Sequence, residues 1–139
     1  VIVEADGGPL GIVVAGANVH DTKLLAATIE AIVVERPEST ADRPQHLCLD
    51  KGYDNPTGRT TTVAFHYIPH IRRIGEEKLD PRRQKRLAAR RWVVERTLGW
   101  ISKCRGLLIR YEKKACNYLA QLKLCCALLW YRRTVRLRF

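Results

Sequence analysis

The sequence has no methionine, only two phenylalanines and no apolar run close to membrane-spanning length. Leu124 to Tyr131, its longest late apolar stretch, has eight residues, against the roughly 20 that a bilayer crossing needs. No charged segment leads into an apolar stretch and a cleavage site at the start, so a signal peptide is not expected. Neither a secreted nor a membrane protein is expected. A chain without Met that opens at Val1, inside a strand-like run, reads as a segment of a longer product. At 139 residues it has room for a single domain, 1–139, with a core of its own.

Cysteine patterning is also missing. Cys48, Cys104, Cys116, Cys125 and Cys126 form an odd set without a C-x-x-C pair, and the four His are scattered, none near a Cys at zinc-finger spacing. That excludes the usual zinc-finger spacings. Cys125 and Cys126 fall in an apolar helical stretch, where a free thiol behaves as a small buried hydrophobe. Reduced thiols and a cytoplasmic location are expected.

Acidic residues are scarce in one part of the chain. Residues 1–50 carry three basic and eight acidic side chains, whereas residues 51–139 carry 22 basic and six acidic ones. The overall charge is +11. A surplus concentrated in this way is the footprint of a polyanion partner, most often nucleic acid. A solvated face with no partner is the plainer alternative.

What is present reads as alternating strands and helices. Val1–Ala5 and Leu10–Ala15 flank Asp6-Gly7-Gly8-Pro9 and predict a hairpin. Asp21 is placed to cap a helix running to Arg36. A polar loop from Pro37 to Pro44 leads to a strand over His46–Asp50, a helix over Thr57–Ala64 and a strand around Tyr67-Ile68-Pro69. Arg72 to Arg83 is polar and basic, which predicts a loop. A helix is expected from Pro81 to Cys104, with Leu87, Val94, Leu98 and Ile101 on one face and Gly106 ending it. Leu107–Tyr111 fits strand or loop equally, and Asn117–Arg133 predicts the closing helix. The class is α/β, a mixed sheet with helices on its faces.

Two carboxylates stand out. Asp50 ends an apolar strand, where α/β sheets gather their ligands; it suits a general base or a hard-metal ligand, or equally a cap for the following turn. Glu95 is the one acid between Asp80 and Glu112 and lies mid-helix among Arg90, Arg91 and Arg96. It fits either a surface ion pair or a metal carboxylate held anionic by its neighbours. Trp92 and Trp100 flank it, as core aromatics or as platforms for bases.

Taken in order, His46-Leu47-Cys48-Leu49-Asp50-Lys51-Gly52-Tyr53-Asp54 and Arg91-Trp92-Val93-Val94-Glu95-Arg96-Thr97 resemble two motifs of the catalytic domain of DDE-type bacterial insertion-sequence transposases. Gly8-Pro9-Leu10 and Ala17-Asn18-Val19-His20-Asp21 resemble the family's strands and first-helix entry. The likeness extends through Arg105 and Ile109-Arg110-Tyr111-Glu112 to the Leu-rich end. At the places where members often carry Tyr and Lys, this chain has Ala88 and Ser102.

The resemblance implies a ribonuclease-H-like mixed sheet flanked by helices and lacking its first strand, on which the family's first catalytic Asp lies. It implies metal-dependent cleavage and joining of DNA, with Asp50 and Glu95 catalytic and binding Mg²⁺ or Mn²⁺. Without the first Asp, the chain alone is expected to be inactive. Lys51, Arg91, Arg96, Lys103, Arg110, Trp92 and Trp100 are implied DNA contacts. DNA is the expected partner, with a homodimer as a further expectation and no small-molecule cofactor. A DNA-binding remnant without activity and a ribonuclease-H-like nuclease are the alternatives.

Overall fold

A computed structural model describes residues 1–71 and 91–136. The basic segment after Arg72, the helix start at Pro81 and Leu87 lie outside the described residues.

Strands β1 (Ile2–Val3) and β2 (Pro9–Gly11) pair antiparallel, with Ile2 opposite Gly11 and Val3 opposite Pro9. The expected hairpin is present but its strands are shorter than Val1–Ala5 and Leu10–Ala15. Its turn is closed by Glu4 N–H to the Gly8 carbonyl and Gly7 N–H to the Glu4 carbonyl, both 2.9 Å. Gly7 takes φ 88°, which a side-chain-bearing residue resists.

Helix α1 spans Asp21–Glu30. Its cap is His20, not Asp21: the His20 ring accepts from Thr22 N–H at 3.3 Å. It also ends well before Arg36. Val33 N–H bonds the Leu10 carbonyl at 3.1 Å, so a tertiary bond to β2 claims the backbone that helix continuation would need.

β3 (Gln45–Leu49), a 3₁₀ turn (Lys51–Tyr53), α2 (Pro56–Ala64) and β4 (Tyr67–Ile71) form a β–α–β unit. β3 and β4 are parallel, with Gln45 opposite Tyr67 and Leu49 opposite Ile71. Parallel strands need such a crossover.

The elements described after β4 are helices: α3 (Arg91–Ser102), α4 (Arg105–Leu108) and α5 (Ala115–Arg136). Gly106 does not stop a helix but sits inside α4; the break falls at Lys103 and Cys104 instead. Leu107 and Leu108 are helical and Ile109 is extended, so the run the sequence left open divides between two conformations. α5 outruns Asn117–Arg133 at both ends. Near its start, Glu112 accepts from the Asn117 and Gln121 side chains at 3.3 and 3.0 Å.

Two hydrophobic clusters hold the chain. In the first, Leu25 and Ile29 of α1 pack on Ile2 of β1, Leu10 of β2, Leu47 and Leu49 of β3, and Tyr67 of β4. One helix therefore covers both two-stranded sheets. The second cluster joins Ile101, Leu107, Leu122 and Cys125 to Ile12 and Val14. On α3 the buried face is Val93, Thr97 and Ile101, while Leu98 is 47% exposed. The expected stripe of Val94, Leu98 and Ile101 is thus rotated. No described helix is long and apolar enough to cross a membrane.

Candidate active site

Asp50 is exposed, directly after β3. Its Oδ1 accepts Lys51 N–H at 2.7 Å, capping the 3₁₀ turn. The capping role weighed from sequence is real, and it fixes the carboxylate at the strand's carboxyl end. Lys51 is half-buried in the turn.

The next residues make that turn rigid. Asn55 accepts Gly58 N–H at 2.8 Å and donates to the Gly52 carbonyl at 3.0 Å. It caps α2 on one side and ties the 3₁₀ turn on the other. Asp54 receives two bonds from Arg59, at 2.6 and 2.8 Å. Gly58 is pressed against the turn: a Cβ there would lie 2.4 Å from the Tyr53 carbonyl oxygen. Asp54 closes the Asp50 motif, but its pairing with Arg59 needs the fold; Asn55 was not singled out, though Asn before Pro56 at a helix start is a legible capping signal.

Tyr53 is half-buried beside this turn. Burial, then the carboxylates of Asp21 and Asp50, push its phenol above the ordinary value. Asp21 at the start of α1 and Asp50 at the end of β3 thus act on the same ring, so one end of this layer is acidic.

Glu95 is exposed on α3. Thr97, fully buried, donates to the Gly7 carbonyl at 2.6 Å, and Arg96 donates to the Asp6 carbonyl. From α5, Trp130 donates to the Pro9 carbonyl at 2.7 Å. A Cβ on Gly8 would come within 2.4 Å of the Trp130 ring. The Gly7-Gly8 turn is therefore a socket that fixes the helix bearing Glu95. The hairpin also joins the two units, since Ile2 and Leu10 belong to the cluster under β3 and the following Ile12 and Val14 to the cluster under α3.

Of the expected nucleic-acid contacts, Arg96, Trp92 and Trp100 come together on α3. The Arg96 guanidinium lies over both Trp92 and Trp100, 4.6 and 4.9 Å from the ring centres. That stack and the Asp6 bond give Arg96 a structural task. Trp92 is 56% exposed and Trp100 half-buried. Lys103 and Arg110 are exposed, and Arg110 bonds the Glu112 carbonyl at 3.0 Å. Arg91 opens α3. The five cysteines are free, and Cys125 is buried with its Sγ 3.1 Å from that of Cys104. Among the described residues no three His, Cys, Asp or Glu side chains gather to hold a metal ion. Asp50 and Glu95 are hard oxygen donors of the kind Mg²⁺ takes, usually one or two at a time with water completing the shell.

Asp50 thus stands at a strand end on a braced turn, and Glu95 on a helix fixed by the hairpin, in a chain of net charge +11. Residues 1–130 match the family model described as "Transposase DDE domain", and the chain belongs to that family. It is 34% identical, over 140 aligned positions, to a Burkholderia cepacia protein named "Putative transposase for insertion sequence element IS402". The alignment takes in 94% of this chain and 61% of that relative, so the chain spans about three-fifths of the relative's length. No solved structure matches this chain.

Proposed function

We propose that this chain belongs to a protein that cuts and rejoins DNA during transposition, with Asp50 and Glu95 as catalytic carboxylates. Membership of the Transposase DDE domain family supports this. The observation that carries it is the braced turn from Asp50 to Arg59, which holds a carboxylate at the end of a parallel strand. A divalent cation, Mg²⁺ or Mn²⁺, would supply charge stabilisation for in-line displacement at phosphorus.

Asp50 and Glu95 would hold that cation, while the exposed cations Lys103 and Arg110, together with Lys51 and Arg91, would hold the phosphate backbone. Trp92 and Trp100 would flank the helical carboxylate as bases approach. Arg96 would act mainly by fixing α3. The two sheets under α1 read as parts of one ribonuclease-H-like mixed sheet, interrupted at its centre. A cytoplasmic location and a second copy during joining complete the proposal.

The test is strand joining by the whole protein. Asp50→Asn and Glu95→Gln should each lower Mg²⁺-dependent joining by at least ~100-fold, the scale on which misplaced reacting groups are felt, without a fall in melting temperature. Joining that survives either substitution overturns the assignment. Cleavage without joining by the unsubstituted protein points instead to a nuclease, and DNA binding without either to an inactive remnant.

A further inference from the structure

The His pair on β3 and β4 has no part in the proposed reaction. Parallel register sets His46 opposite Ile68 and Cys48 opposite His70, so His46 and His70 are diagonal neighbours on one face of the ribbon. That face is opposite to the one whose Leu47 and Leu49 pack under α1. His46 is exposed and His70 half-buried. Nδ1 of His46 and Nε2 of His70 stand 2.6 Å apart, with ring centres 4.8 Å apart and planes inclined by 48°.

Two imidazole nitrogens this close cannot both carry hydrogen. One must present a lone pair to the other's N–H, so the pair already forms a two-nitrogen fork closed by a proton. A metal ion can take that proton's place, releasing it to solvent, once both rings turn so that their lone pairs converge on the ion. Bonds of about 2.0–2.1 Å to a common ion put adjacent nitrogen donors roughly 3.0–3.4 Å apart, and two rings at a ribbon surface reach that by opening less than about 1 Å.

We propose that His46 and His70 form a binding site for a borderline transition-metal cation such as Zn²⁺ or Ni²⁺, with water completing its coordination. Imidazole favours these ions over Mg²⁺, so the site differs in chemistry from the carboxylate centre. It also lies apart from it: four residues of strand at about 3.3 Å each separate His46 from Asp50. The bound ion would cross-link the starting half of β3 to β4, bracing the strand that ends at Asp50. The proposal stands independently of the transposition reading.

The experiment is titration of the 139-residue chain with ZnCl₂ or NiCl₂ alone at neutral pH, followed by calorimetry and by melting temperature. One equivalent should bind saturably and raise the melting temperature, because an ion bound only by the folded state stabilises it by mass action. His46→Ala and His70→Gln should each weaken binding at least tenfold and abolish the thermal shift, and Cys116→Ser, at an exposed position on α5, should leave both unchanged. Mg²⁺ in large excess should not compete. His46 is exposed, so His46→Ala keeps the test decisive even if His70→Gln fails to fold. Failure to saturate below about 1 mM, the edge of specific affinity, overturns the proposal. So does unaltered binding by His46→Ala.

Discussion

Thr97 shows how much one hydroxyl can settle. It is fully buried and spans α3 and the hairpin turn, donating to the Gly7 carbonyl two residues after Glu95. Thr97→Val keeps the shape and strands that carbonyl in the interior. The expected cost is about 1–3 kcal/mol, measurable by urea unfolding, with Thr97→Ser recovering most of it. Buried thiols give a second residue-scale prediction. Burial, followed by the neighbouring Cys104, pushes the Cys125 thiol up to about 12. At pH 8 it is almost wholly protonated, so iodoacetamide should modify the exposed Cys48 and Cys116 while Cys125 stays unreacted. The linked stability effect has a definite sign. The unfolded thiol ionises near 8.5, so stability is unaffected below that pH and falls as pH rises above it, since the folded state holds its proton longer. Rapid alkylation of Cys125 in the folded chain, located by mass spectrometry, would contradict this.

At the scale of elements, the turn between β3 and α2 is packed backbone to backbone. Gly58 has no room for a Cβ because the Tyr53 carbonyl lies against it. Gly58→Ala should therefore destabilise despite the better helix propensity of Ala, worth up to about 1 kcal/mol. Overpacking of this kind costs about 1–3 kcal/mol, and a fall in melting temperature reads the net loss; a rise would mean that the turn can retreat. The strand of β3 and most of the helix of α2 were legible from local pattern, whereas the cap Asn55 and the first helical residue Pro56, which set where α2 starts, were not used. Asp50 and Glu95 are singled out by their motifs alone, and their catalytic role is the proposal made above. The shortened α1, the rotated face of α3 and the helical Gly106 were not legible, because each answers to distant partners: Val33 to Leu10, Thr97 to Gly7, and Leu107 to the core with Leu122. The pairing of His46 with His70 was equally hidden, since it needs the strand register.

At the scale of the whole molecule, net charge was legible from composition, whereas its placement needed the fold. Lys103, Arg105, Arg110, Lys113, Lys114, Lys123 and Arg132 are all exposed along α3 to α5. Glu95 and Glu112 are the acids of this region, and Glu112 is engaged with Asn117 and Gln121. Cations so arranged attract a phosphate backbone without reading its sequence, because phosphate contacts position a duplex and base contacts specify it. Affinity for DNA should therefore be tight at about 50 mM salt and nearly indifferent to sequence. Counterion release sets the steepness: each neutralised phosphate adds about 0.9 to the slope of log K against log salt. Lys113→Glu with Lys114→Glu should flatten the slope by roughly two phosphates' worth and weaken binding to every duplex alike. Both side chains are exposed just before α5, so melting temperature should not change. A slope that the double substitution leaves untouched would place the DNA on another face; a flat slope for the unsubstituted chain would reduce the basic surplus to a solvated surface.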